Sequence, residues 1–204
     1  MNSFSEHVGA QFGNPRGIAG RICCYIMNTM NRRMYDATVS LLELTRNDSV
    51  LDVGYGNGKL LRDIYERTGA CLYGIDISED MKVLAEKKNR RAKKEGKLFL
   101  STGDCCDLPY DDGRFDAVTS INTVYFWDDV VCGLSDIRRT LKDGGSFFNT
   151  ACTKEFLNKL SPYTNNYKKY DPGQFIEFGE QAGFKDVYIK DIVKGKSYIV
   201  IFTK

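Results

Sequence analysis

Three carboxylates, Asp52, Asp76 and Asp104, stand in or just past short apolar runs, and the first is followed by Gly54, Gly56 and Gly58 at every second position. Those residue types at that spacing suit the capture of a nucleoside that carries positive charge. The glycines allow a sharp turn, accept positive φ and let bare backbone approach a ligand. Asp52, two residues before Gly54, sits poorly beside a pyrophosphate and suits a cation. Asp76 falls at about the 20-residue distance at which a carboxylate accepts from a ribose diol. Each also has a plainer use: the glycines in a tight turn, Asp52 as a helix cap, Asp76 at a helix N-terminus, and Asp104 with Asp107 in a local turn.

The elements that must position these groups are legible in the same stretch. Residues 49–53 form an aliphatic run with few polar positions, as in a parallel strand covered on both faces. A helix pattern starts at Lys59, so a helix start faces the carboxyl end of that strand, where open α/β sheets bind ligands. Further strands are expected at 72–75, 98–100, 115–121 and 145–151, with helices over 79–95 and 130–141. After an insertion come a helix over 175–182 that stops at Gly183 and two antiparallel strands, 186–193 and 197–202. This alternation predicts a doubly wound α/β fold with mostly parallel pairing. Upstream, 17–44 carries helical spacing through Ile18, Ile22, Ile26, Met30 and Met34, and 1–17 reads as a mobile, turn-like segment. A single domain spanning 1–204 is expected, with an N-terminal helical segment (1–47), a cofactor-binding half (48–151) and a substrate-side insertion with a C-terminal hairpin (152–204).

The motifs V-L-D-V-G-Y-G-N-G, G-I-D-I-S, G-D-C-C-D-L-P-Y and F-D-A-V-T-S-I-N-T-V-Y together resemble those of class I S-adenosylmethionine-dependent methyltransferases, in the branch of the ubiquinone/menaquinone C-methyltransferases and small-molecule enzymes. The resemblance runs over 48–204 and implies a Rossmann-like seven-stranded sheet of order 3-2-1-4-5-7-6 with its last strand antiparallel. It also implies S-adenosylmethionine as cofactor and N-terminal helices that close over it as a lid, packing on the sheet edge being the alternative. By the same resemblance, Gly54 and Gly56, with Tyr55 between them, would pack against the methionine part; Asp52, read from its position alone, either caps the helix start or bonds loop amides, or serves the ligand indirectly. Asp76 would bind both ribose hydroxyls. Asp104 would accept from the adenine amino group, the amide of Cys105 would face an adenine ring nitrogen, Ile77 and Met81 would flank the adenine, and Asn122 would stand beside the amino-acid moiety.

Composition narrows the acceptor. Lys+Arg 29 against Asp+Glu 27, net charge +2, produces no broad field for nucleic acid or acidic membranes. The basic residues of 87–97 go around a helix, are diluted by Glu86 and Glu95, and have no aromatics among them to stack bases. Asn122-Thr123-Val124-Tyr125 lacks the paired prolines typical of methyltransferases acting on base amino groups, which favours a small molecule. Tyr125, Phe126 and Trp127 are candidates for a substrate wall, and Phe156, Leu157, Tyr163, Tyr167 and Tyr170 supply aromatics suited to a flat or apolar acceptor. No residue set selects the acceptor atom or a catalytic base; His7 is the single histidine. Seven cysteines without a C-x-x-C pair predict no metal site, and Cys71 and Cys132 read as small buried hydrophobes. Without a secretion signal or a long apolar run the expected compartment is the cytoplasm. Two other classes share parts of the pattern. A nicotinamide-dependent oxidoreductase would leave Asp104 and Asn122 unexplained, and a nonenzymatic S-adenosylmethionine-binding protein would share every cofactor residue.

Overall fold

The computed structural model describes residues 29–204. Adjacent strand residues point to opposite faces of a sheet, so an apolar pair in a strand supplies two cores. Leu51, Tyr73, Val118, Phe147 and Val200 enter one. Their neighbours Val50, Leu72, Ala117, Phe148 and Ile199 enter the other. The strands are β1 (Ser49–Val53), β2 (Cys71–Asp76), β3 (Leu98–Thr102), β4 (Phe115–Ile121), β5 (Leu141–Cys152), β6 (Asp186–Val193) and β7 (Ser197–Thr203). They form one sheet in the order β3-β2-β1-β4-β5-β7-β6. Pairing is parallel from β3 across to β5, and β7 runs antiparallel to both its neighbours. This is the doubly wound, Rossmann-like order.

Seven helices flank the sheet among the described residues: α1 (Arg32–Leu41), α2 (Lys59–Thr68), α3 (Glu79–Lys88), α4 (Arg90–Lys94), α5 (Val130–Thr140), α6 (Lys154–Lys159) and α7 (Gln174–Gln181). Helices α1 to α4 cover one face, and α5, α6 and α7 the other. On the second face Phe147 is fully buried and stacked between Trp127 and Phe202, with ring centroids 6.3 and 5.4 Å away. Truncating it to alanine would cost about 3–5 kcal/mol.

Some boundaries differ from expectation. The helix expected over 79–95 is two helices that meet at Asn89, whose backbone leaves helical geometry (φ -103°, ψ 32°) and whose side chain donates to the carbonyls of Ala85 and Gly58, both at 2.9 Å. The basic residues there are split between α3 and α4 and partly neutralised by pairs such as Lys93–Glu86 and Arg91–Glu95. Strand β5 starts at Leu141, which pairs with Phe115 ahead of a β-bulge. Of the N-terminal segment, Ile18, Ile22, Ile26 and the 1–17 turn lie outside the described residues. Its described helix, α1, docks on the sheet through a buried hydrogen bond between Thr38 and Thr150, 2.8 Å. Among the described residues no helix is long and apolar enough to cross a membrane.

Candidate functional site

The turn after β1 is shaped by close approach. Gly54 has φ +75°, and a Cβ there would lie 2.3 Å from Cγ2 of Thr123. Thr123 cannot easily withdraw, since its hydroxyl bonds to Ser120 and accepts from Nε1 of Trp127 at 3.1 Å. Gly56 has φ +50° and nothing within 4 Å of its Cβ position, because it borders open space. That space is a cavity of about 320 Å³ at the carboxyl ends of the strands, and it is lined by Asp52, Gly54, Tyr55, Gly56, Asp76, Ile77, Met81, Asp104, Cys105 and Asn122.

The three acids occupy different environments. Asp52 is buried and accepts from Oγ1 of its cross-strand neighbour Thr119 at 2.9 Å. It makes no cap to α2, whose N-cap residue, Gly58, has no side-chain bond. Burial, reinforced by the nearby charge of Asp76, pushes the Asp52 carboxyl up to about 8. Asp76 accepts from the amide of Gly56 at 2.8 Å and that of Ser78 at 2.9 Å. Burial raises its pKa and the two amides oppose the rise. It therefore ties the glycine turn to the start of α3 while bordering the cavity. Asp104 is exposed, and its Oδ1 accepts from the amide of Cys106 at 2.8 Å, so the turn role considered for Asp107 falls partly to Asp104 itself.

Around them, Met81 is buried in the core shared with α2 and also walls the cavity, whereas Ile77 is exposed at its edge. Tyr55 is buried, with its hydroxyl 3.3 Å from the carbonyl of Ser101. Asn122 ends β4 with φ 59°, a left-handed conformation that asparagine tolerates better than most residues. Its Nδ2 lies 3.6 Å from Sδ of Met34 and its Oδ1 accepts from the hydroxyl of Tyr125 at 2.9 Å. Donor atoms of Asp104, Cys105 and Cys106 gather within 4.8 Å of one another. Burial raises both thiol pKa values, that of Cys106 to about 12, which disfavours the thiolates a metal would need. Cys132, expected to be buried, is exposed near the start of α5.

A second cavity, of about 740 Å³, opens beside the first and shares Asn31, Asn122 and Phe126 with it. Of the expected substrate wall, Tyr125, Phe126 and Tyr163 line this space and Trp127 does not. Trp127 is buried in the core against Phe147 and borders only the smaller cavity. Phe156, Leu157 and Tyr167 also line the larger cavity, but Tyr170 packs edge-on against Phe175 and Phe178. Tyr125 stacks on Tyr167 with centroids 5.5 Å apart, and Phe126, 38% exposed, stands edge-on to the same ring. Burial holds the phenol of Tyr125 well above its ordinary range and pushes the thiol of Cys152 up to about 11. Neither is a ready base at neutral pH.

Sequence reading missed Asn31 and Tyr35 of the α1 region, Thr123 and Asp128, all of which line the smaller cavity. Thr123 falls within the motif F-D-A-V-T-S-I-N-T-V-Y without a role implied for it there; the other three carry no motif signal, and only packing brings the α1 region to the cavity mouth.

The smaller cavity meets the demands of S-adenosylmethionine on its own terms. Four acidic side chains line it, Asp52, Asp76, Asp104 and Asp128, the first held neutral by burial, with no Lys or Arg among the described lining residues. A sulfonium nucleoside matches that charge and the glycine opening. A family model described as a methyltransferase domain matches residues 51–149. The uncharacterized methyltransferase YdaC of Bacillus subtilis (strain 168) is 34% identical over 170 residues, covering 83% of this chain and 89% of that protein. The chain belongs to the class I S-adenosylmethionine-dependent methyltransferases. It is also 28% identical over 232 residues to the ubiquinone/menaquinone biosynthesis C-methyltransferase UbiE of Geobacter sp. (strain M21), covering 100% of this chain and 99% of that one. In fold it matches a methyltransferase solved in complex with the Haloferax volcanii Trm112 methyltransferase activator, at TM-score 0.75 and 20% identity over 100% of this chain and 98% of that one. This methyltransferase thus takes S-adenosylmethionine as its cofactor.

Proposed function

We propose that this methyltransferase methylates a small, largely apolar acceptor held in the larger cavity. One observation carries the reading: the cofactor-sized and acceptor-sized cavities meet at Asn31, Asn122 and Phe126, so ligands in the two would face each other across those side chains. When bound, S-adenosylmethionine supplies an electrophilic methyl group whose sulfur leaves as a neutral thioether. Asp76 would hold the ribose hydroxyls, and Asp104 and the amide of Cys105 the adenine edge, between Ile77 and Met81. Gly54, Tyr55 and Gly56 would pack on the methionine part and Asn122 would orient its amino-acid end. Asp52, held neutral by burial and bonded to Thr119, would brace the β1 end beneath the ligand. The chain's remaining task is to align the acceptor and exclude water, and such orientation can supply effective molarities of about 10⁵–10⁸ M.

The aromatic lining of Tyr125, Phe126, Tyr163 and Tyr167 supports a flat or apolar acceptor, and the name of the UbiE relative supports a quinone-like ring. Incubation of the purified protein with methyl-labelled cofactor and separate pools of lipophilic aromatic compounds, proteins and nucleic acids tests the reading. Label is expected in the first pool. Label confined to either macromolecular pool, or S-adenosylhomocysteine binding without any transfer, would overturn it.

A further inference from the structure

The two cavities carry opposite charge. The smaller is lined by four acidic side chains, of which Asp52 is held neutral by burial, and by no cation among its described residues, whereas the larger is lined by two cations, Arg33 and Lys196, and by no Asp or Glu among its described residues. The cations come from distant parts of the chain. Arg33 lies on α1 and Lys196 in the turn between β6 and β7, and α1 packs against β6. Both are exposed yet border the cavity, which places them at its opening. The Nζ of Lys196 lies 5.9 Å from the ring centroid of Phe156, a lining residue, so the ammonium is held over an aromatic wall. No ion pair engages either side chain among the described residues.

A solvated Lys or Arg alone signifies little. Two cations without an ion-pair partner among the described residues, at the mouth of an apolar, aromatic-lined volume, are the arrangement that orients an amphiphile by one polar end. Resting on the acceptor cavity proposed above, we infer that the acceptor is an apolar ring system bearing an anionic group, a carboxylate, sulfate or phosphate. Arg33 and Lys196 hold that group at the opening while the apolar part lies against Phe126 and Tyr167, toward Asn122. The same charge pattern sorts the ligands, because each cavity repels the ligand that belongs in the other.

Anilinonaphthalene sulfonate and phenylnaphthylamine share one ring system and differ by the sulfonate. Their fluorescence on protein saturated with S-adenosylhomocysteine reads the charge preference directly. The sulfonate is expected to bind about tenfold more tightly at low salt, and added salt should shrink that advantage. The double variant Arg33→Gln/Lys196→Gln should lose the advantage while binding the neutral probe unchanged, which also reports an intact fold. Arg33→Lys/Lys196→Arg should keep it. Equal binding of the two probes, or a sulfonate preference that survives the glutamine variant, overturns the anionic acceptor and leaves the acceptor cavity standing. Failure of both probes to bind removes the acceptor cavity itself.

Discussion

The two cavities are built by different means. The smaller is formed chiefly by strand ends and the turns that leave them: β1 with Gly54 and Gly56, β2 with Asp76, the segment after β3 with Asp104, and β4 with Asn122. Each of these contributions is local, a carboxylate or bare backbone placed by the strand just before it. The larger is formed by side chains of the α1 region, the short turn after β4, the 153–167 segment and the β6–β7 turn, which meet only when the chain packs. A site of the first kind tolerates little change in its backbone. A site of the second kind can be altered at the side chains the two cavities do not share without reshaping the first.

That contrast is breakable, and the largest effect is expected at Gly54. Gly54→Ala forces a Cβ against Thr123 and a positive φ on alanine, which should cost roughly 2–4 kcal/mol. It would appear as a lower melting temperature and lost S-adenosylhomocysteine binding. Adding Thr123→Ser, which removes the clashing methyl, should restore part of the loss; no restoration would mean that the contact is not the cause. Next, Asp76→Ala should weaken S-adenosylhomocysteine binding by about 1.5–3 kcal/mol in calorimetry and leave probe binding in the larger cavity unchanged. An unaltered dissociation constant would remove Asp76 from the ribose.

The third effect is a pH dependence. Folded Asp52 keeps its proton up to about pH 8, far above the ordinary value of 3.8. The folded state therefore binds a proton that the unfolded chain has lost, so this group's contribution to stability is full below about pH 4 and is lost as pH rises toward 8. Asp76, shifted in the same direction, adds to that slope. Melting curves without cofactor should flatten in Asp52→Asn, and identical slopes would refute the buried neutral acid. The smallest effect belongs to Tyr163, which is 43% exposed and lines only the larger cavity. Tyr163→Ala should raise the acceptor KM by about threefold to fivefold, within the ~1 kcal/mol expected of a partly exposed contact, and leave cofactor affinity alone. A weakened cofactor would show that the cavities are not separable in this way.

The strand positions, the glycine turn and the acids at the strand ends were legible because each follows from neighbouring residues, whereas the strand order came only through the family resemblance. The break at Asn89 was not, since helical spacing continues through it and one of its side-chain partners, the carbonyl of Gly58, lies 31 positions away. Trp127 and Tyr170 read as substrate aromatics but pack into the core, because an aromatic's burial depends on what the rest of the chain brings beside it.

The sequence alone determined an α/β alternation and a glycine-punctuated turn at the end of β1, because side-chain alternation and glycine's access to positive φ act within a few contiguous residues; the methyltransferase reading came from the resemblance of its motifs. Tertiary structure alone decided that α1 docks through Thr38 on β5, that Asn31, Asn122 and Phe126 join the cavities, and that Arg33 and Lys196 border the larger one. Those juxtapositions depend on burial of surfaces far apart in the chain, and no local pattern encodes them.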